Sequence, residues 1–412
     1  MQLTRTALAL AIGLIVLQPI LPAAPPLASG KAPLKLDALS LNAWQEIDRL
    51  AFENNLKAIK ARVGDKVKLC AILKADAYGH GISLLVPTVI KLGIPVIGVA
   101  SNDEARVARE QGFKGEIIRV RTATLGEVEA GLKYDIEESL GNLDFARQVS
   151  NLAARQGRTL KFHLKLNSGG MSRNGLEMST ELGRQQALEL VRLPHLQVTG
   201  IYTHNPNEDR KEVLERLAVF QGDSNYVIQN ARLDRSKLTI HMCNSFSTFN
   251  VPEAHLDMVR PGLALYEPLD EADATYKELK RIWSFKARVA SVNAYPAGNT
   301  VSYGRTYALK QDALLANIPV GYSDGFRRLF SNRGQVLIQG QRFPVAGKVS
   351  MNTFMVEVTG HPEIKSGDEV VLFGRQGKEE IGLDEFSKNS DCPSWDEMYT
   401  SIGNQNPKVL VN

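Results

Sequence analysis

At 412 residues the chain is too long for one ordinary core, so two domains are expected once any leader is removed. A hydrophobic content of 43% with 23% charged residues is that of a folded globular protein. Lys+Arg exceed Asp+Glu by only 49 to 45 and no block of five like charges occurs, so neither nucleic acid nor a membrane surface is an expected partner.

In chain order, the first predicted element is a leader. Arg5 precedes an uncharged apolar run from Ala7 to Leu17, and Pro22, Ala23 and Ala24 follow, the order of a secretory signal. The run falls short of the ~20 residues that a membrane-spanning helix needs. A signal peptide over 1–23 is expected, cut between about 23 and 30, with a periplasmic location; an uncleaved anchor is the alternative.

From 68 to 266 short β-branched runs alternate with longer stretches of helical spacing. Strands are predicted at 68–73, 96–100, 116–121, 134–138, 161–166, 198–204, 238–244 and 258–266, with helices such as 103–111, 143–156 and 210–230. Most runs are apolar throughout, as strands buried on both faces are. Eight strands with intervening helices in about 200 residues predict a (β/α)8 TIM-type barrel over 31–270, an open doubly wound sheet being the alternative. After Asp270 the texture changes. Strands at 285–295, 313–319, 335–338, 354–359 and 369–373, separated by Gly-containing turns, predict a mainly antiparallel β domain over 271–412. The early stretch 39–46 is placed to join its sheet. The fold class is therefore α/β.

Cys70, Cys243 and Cys392 cannot all pair within one chain, and the first two lie in apolar runs where a buried inert thiol is expected. No His pair at ligand spacing and no Cys-x-x-Cys occurs, so no metal site is predicted.

The chemistry begins where the first barrel strand ends, in Lys74-Ala75-Asp76-Ala77-Tyr78-Gly79-His80-Gly81. A lysine at the carboxyl end of a barrel strand points into the mouth where such enzymes keep reactive groups. Its amine can condense with an aldehyde cofactor, and burial can lower its pKa enough for base chemistry. Taken alone the signal is modest, since a strand-end lysine is more often a solvated surface charge. Strand seven ends His241-Met242-Cys243-Asn244-Ser245, and strand eight reads Met258-Val259-Arg260-Pro261-Gly262. Barrels commonly seat phosphate in the loops after these two strands. The Ser245 hydroxyl and backbone donors near Gly262 suit phosphate, and Arg260 is a permanently charged donor for phosphate or a ring nitrogen. The bland readings are a helix cap for Ser245 and a surface ion pair for Arg260.

These runs, together with Trp44-Gln45-Glu46-Ile47-Asp48, Gly200-Ile201-Tyr202-Thr203-His204, Val259 to Tyr266, Val301-Ser302-Tyr303-Gly304 and Gly321-Tyr322-Ser323-Asp324-Gly325, resemble the motifs of the alanine racemase family, in that family's order. The resemblance covers nearly the whole chain after the leader. It implies a fold-type III pyridoxal 5'-phosphate enzyme that interconverts L- and D-amino acids. Lys74 would carry the cofactor and act as base toward one enantiomer. Tyr303, from the β domain of the partner subunit of a homodimer, would act on the opposite face. Tyr78 and Ser245 would contact the phosphate, with Asn244, Gly262 and Leu263 beside them. Arg260 would face the pyridine nitrogen, His204 would pack on the ring, and Tyr322 and Met351 would line the substrate entrance.

Racemisation requires a proton to leave one face of the α-carbon and another to arrive on the opposite face. Lysine and tyrosine both start from pKa values near ~10, so both must be tuned downward. An arginine at the ring nitrogen leaves that nitrogen unprotonated and the cofactor a weaker electron sink.

The sequence also departs from the family. The fifth strand reads Lys165-Leu166-Asn167-Ser168-Gly169-Gly170-Met171-Ser172-Arg173-Asn174, with Asn167 where the family has Asp and one residue inserted before Arg173. A family lysine that is often carbamylated corresponds to Lys165; a bound anion near Asn167 and Arg173, or Asn167 itself, can take that group's role. Arg173 and Asn174 would border the substrate. Asn352 follows Met351 where Asp is usual, and Asp396, after Trp395, stands where a tyrosine narrows the family's entrance. With the leader, these changes resemble the periplasmic broad-spectrum racemases of the same family, which accept lysine, arginine and methionine as well as alanine. Strict alanine racemisation, a fold-type III decarboxylase of basic amino acids, and a non-catalytic single-barrel cofactor carrier are the alternatives.

Overall fold

The computed structural model describes residues 40–168, 170, 173–391 and 395–412, without the side chains of Trp395 and Asp396. The expected leader and cleavage point, Cys392, and the side chain of Asp396 lie outside the described residues.

Eight parallel strands, Lys68–Ile72, Val96–Val99, Glu116–Arg119, Ile136–Leu140, Leu160–Asn167, Leu196–Tyr202, Thr239–His241 and Met258–Val259, pair in sequence order. Met258 pairs with Lys68 and closes the ring. Four of five residues of the first strand and all of the second are buried, which is why these runs read as continuously apolar. Several helices outside the ring start at side-chain caps: Asp48, Asn142, Thr180 and Asp209 each accept a first-turn N–H, and Ser101 with Glu104 forms a reciprocal capping box.

The predicted strand 258–266 stops at Val259. Pro261 offers no N–H to a ladder, and Leu263–Leu265 forms a 3-10 turn instead. The predicted strand 238–244 shortens to Thr239–His241 because Asn244 caps the following helix, Ser245–Asn250.

The second sheet has the order Ser291–Tyr295, Ala313–Ile318, Phe354–Glu357, Gln341–Ala346, Gln335–Ile338, Glu369–Gln376, Trp283–Arg288, Ala43–Asp48, Lys408–Val411. The predicted strand 285–295 is two strands, because its halves serve different partners: Trp283–Arg288 pairs with Glu369–Gln376, and Ser291–Tyr295 with Ala313–Ile318. Ala43–Asp48 does join this sheet, antiparallel to Trp283–Arg288, and it also pairs in parallel with Lys408–Val411, Gln45 opposite Lys408. The buried Gln45 amide locks this seam, accepting from Trp283 Nε1 at 2.8 Å and donating to the Asn406 carbonyl at 3.1 Å. Two helices within the β domain, Leu383–Ser390 and Trp395–Gly403, were not anticipated from the sequence.

Candidate active site

The first strand delivers Lys74 to the carboxyl end of the barrel. The chain then winds left-handed, with φ of 55° at Ala75, Asp76 and Ala77 and 56° at Tyr78. That conformation costs roughly 1–2 kcal/mol per residue when the residue is not glycine. In return Lys74 and Tyr78 face the same cavity, with Lys74 Nζ 5.5 Å from the centre of the Tyr78 ring.

The opposite wall comes from the last two strands. Asn244 caps the helix that Ser245 opens, its Oδ1 accepting from Ser247 N–H at 3.0 Å. Ser245 Oγ accepts from Gly262 N–H at 3.0 Å and Ala264 N–H at 3.1 Å. Both acceptor sites are thereby filled, and the hydroxyl hydrogen is left to donate. A Cβ at Gly262 would lie 2.3 Å from Tyr78 Oη, so only glycine lets that phenol reach the loop.

The floor is cationic. Arg260 is 7% exposed; Nη2 donates to the carbonyls of Thr203 at 2.8 Å and Met242 at 3.2 Å, while buried Nε has no partner. Burial pulls its pKa below the usual arginine value. Burial first, then Arg260, Arg173, Lys165 and Lys74, push the pKa of His204 down to about 2, so its imidazole is neutral at working pH. Lys165, 4% exposed, donates to Asn174 Oδ1 at 3.0 Å, and burial followed by Arg173 and Arg260 lowers its pKa to about 8.

That value gives a signed expectation. Below pH 8 Lys165 is charged in both folded and unfolded chains, so the folded state carries the full burial penalty. Between pH 8 and the unfolded value near ~10.5 only the unfolded chain stays protonated, and the penalty fades. Lys165→Met should therefore be more stable than the parent at pH 7, by roughly 2–3 kcal/mol. The advantage should disappear by about pH 10.5 in denaturant titrations run across that range. A pH-independent difference overturns it.

The cavity is 380 Å³, within the range of small-molecule sites. Lys74, Tyr78, Arg173, His204, Asn244, Ser245, Arg260, Gly262 and Leu263, all singled out in the sequence, line it together. Lys165, Tyr202 and Glu208 line it as well. Tyr202 is the last residue of its strand, two positions before His204 in the run Gly200-Ile201-Tyr202-Thr203-His204. Glu208, the one carboxylate among the described residues of the lining, carries no sequence signal. Asn167 is not in the lining and turns its amide to Glu177.

Tyr303, Tyr322 and Met351 are 71%, 38% and 55% exposed and do not line this cavity. They share one region of the β domain around loop 347–352. Ser302 Oγ donates to the Lys348 carbonyl at 2.7 Å, and Tyr322 N–H to the Ser350 carbonyl at 3.1 Å. Cys70 and Cys243 are buried free thiols whose pKa values burial raises to about 12 and about 11, as inert core thiols should be.

With this geometry in place, residues 47–269 match the alanine racemase N-terminal domain and residues 282–410 the alanine racemase C-terminal domain. The chain belongs to the alanine racemase family. It is an amino-acid racemase, an isomerase. Similar proteins include a broad specificity amino-acid racemase of Pseudomonas taetrolens, 53% identical over 100% of this chain and 99% of its own. A lysine racemase of Proteus mirabilis is 46% identical over 91% of each chain. Among solved structures, alanine racemase from D-cycloserine producing Streptomyces lavendulae superposes with a TM-score of 0.80, at 30% identity, covering 90% of this racemase and 97% of that chain. The closed parallel barrel with its antiparallel sheet domain is thus the family's architecture.

Proposed function

We propose that this racemase is a broad-spectrum, pyridoxal-phosphate-dependent enzyme of the periplasm, acting as a homodimer on alanine and on longer and basic amino acids. The observation that carries the reading is the meeting of Lys74 with the Ser245–Gly262–Tyr78 seat in one cavity. The residues fit the cofactor. Four cationic side chains against one carboxylate favour a doubly anionic phosphate and a substrate carboxylate. The Ser245 hydrogen and the Tyr78 phenol supply donors at the phosphate end. Arg260, with its unpartnered buried Nε, supplies one at the ring end.

Bound pyridoxal phosphate would supply the electron sink that stabilises charge on the substrate α-carbon after proton removal. Lys74 Nζ takes or returns the proton on one face. Tyr303 Oη of the partner subunit does so on the other, which accounts for a phenol that is exposed in a single chain. Neutral His204 would pack against the cofactor ring without adding charge, and Arg260 would face the ring nitrogen, which a permanently protonated guanidinium would leave unprotonated. Arg173 and Asn174 border the substrate, and Tyr322 and Met351 form its entrance from the partner. A bound anion near Asn167 and Arg173 belongs to the same reading. Borohydride reduction followed by peptide mapping should place the cofactor on Lys74, and a label on any other lysine overturns the assignment.

Breadth follows from Asp396 standing where the family's entrance tyrosine narrows the pocket. Removing a phenol that rejects bulk by overlap widens specificity without a new attraction. Catalytic efficiency with lysine, arginine and methionine should come within about 10-fold of that with alanine, and Asp396→Tyr should depress the long substrates by at least about 10-fold while sparing alanine. An unmodified enzyme that racemises only alanine and serine refutes the broad reading in favour of strict alanine racemisation. Carbon dioxide released from lysine or ornithine would indicate a decarboxylase instead.

A further inference from the structure

Four consecutive non-glycine residues in the left-handed region are rarely stable by themselves, and this turn carries Lys74 at one end and Tyr78 at the other. Some of its support is local: Ala77 N–H donates to the Leu73 carbonyl at 2.9 Å, Gly79 N–H to Ala75 at 2.8 Å, and Gly81 N–H to Asp76 at 2.9 Å. The rest converges on Asp76. Its backbone N–H donates to Glu104 Oε1 at 3.2 Å, its Oδ1 accepts from Ile82 N–H at 2.8 Å, and its Oδ2 receives Lys408 Nζ at 2.9 Å. Lys408 comes from the far end of the chain, 332 residues away, and its side chain is 17% exposed.

A second contact comes from the same end of the molecule. A Cβ at Gly79 would lie 2.4 Å from the Tyr399 carbonyl oxygen, and one at Gly403 would lie 2.4 Å from the Gly79 carbonyl oxygen, so backbone lies on backbone there. His80 stacks on the Tyr266 ring, centroids 4.7 Å apart, and the Tyr399 ring lies tilted against it at 5.0 Å. The last helix and strand therefore press on the outer side of the turn whose inner side faces the cavity. Lys408 itself is fixed opposite Gln45 in the β-domain sheet.

We propose that the carboxyl-terminal segment is a clasp on this turn, and that Lys408 is a positioning residue which, through Asp76, holds the left-handed conformation that aims Lys74 and Tyr78 into the cavity. The reading rests on the assignment of Lys74 as the cofactor lysine, but its first consequence does not. In the cofactor-free full-length chain, Lys408→Met keeps the length and apolar stem and removes the charge. Amide hydrogen exchange at residues 77–82 should then speed up by at least 10-fold, with the barrel strands unchanged. Lys408→Arg should restore slow exchange.

In the loaded enzyme, Lys408→Met should release pyridoxal phosphate about 10-fold faster and lower kcat about 10-fold at unchanged KM for alanine, and Lys408→Arg should recover most of both. Unchanged exchange at 77–82 in Lys408→Met overturns the clasp. So does faster exchange spread evenly over the whole chain, or an arginine variant as impaired as the methionine one, since both mark a role in folding alone. If exchange responds as expected but borohydride mapping finds the cofactor on another lysine, the clasp stands and the assignment of Lys74 fails.

Discussion

Mixing inactive Lys74→Ala chains with inactive Tyr303→Phe chains should restore about one quarter of wild-type activity. Each variant alone should lose at least about 10³-fold, since on the proposed reading each lacks one of the two groups that hold a proton at the α-carbon. Random reassortment makes about half the dimers hybrid, and each hybrid has one intact site out of two. The geometry behind this is plain: Lys74 lines the barrel cavity, whereas Tyr303 is 71% exposed on the β domain and absent from that lining. On the proposed reading, the phenol is supplied by another copy of the chain. Native mass spectrometry with differently tagged chains confirms exchange, and proven exchange without recovery rules out a shared site. The two single variants should also differ in isotope behaviour. In deuterated solvent, the residual reaction of Tyr303→Phe should favour exchange of one enantiomer and that of Lys74→Ala the other.

The second large effect is expected at Gly262. Valine there should weaken pyridoxal phosphate binding by at least about 100-fold, measured by absorbance or fluorescence titration of the apoenzyme. A Cβ alone would lie 2.3 Å from Tyr78 Oη, so any larger side chain there meets the phenol directly. Tyr78 cannot retreat easily, because its ring packs on Tyr266 at 5.0 Å, whose hydroxyl is tied to the Ile72 carbonyl at 2.7 Å. Adding Tyr78→Phe removes the oxygen in the way and should recover part of the affinity, a coupling that two independent sites would not show. Gly262→Val without loss of affinity would place the phosphate elsewhere.

Periodicity alone made the barrel legible. Strands buried on both faces must be apolar throughout, and helices between them must repeat every three to four residues, so both signals are written locally. Part of the cavity could be read for the same reason, since Lys74, Ser245 and Arg260 each follow an apolar run at a strand end, whereas His204 and Arg173 came only from the family resemblance. What local pattern could not decide was where strands stop and what meets them. The strand 258–266 ended early because Pro261 lacks an N–H and Arg260 had a buried destination, and 285–295 divided because its halves pair with different neighbours.

Only the tertiary structure decided that Glu208 enters the cavity wall, that Asn167 turns to Glu177, and that Lys165 sits dry enough for its pKa to fall to about 8. Each depends on neighbours far away in the chain, and burial is a property of the assembled core. The left-handed turn after Lys74 is the sharpest case. Ala75, Asp76 and Ala77 are unremarkable as a sequence, and no local preference puts them at positive φ. They are held there by Glu104 and by Lys408, which reach Asp76 only once the barrel has closed and the last strand has joined the first in one sheet.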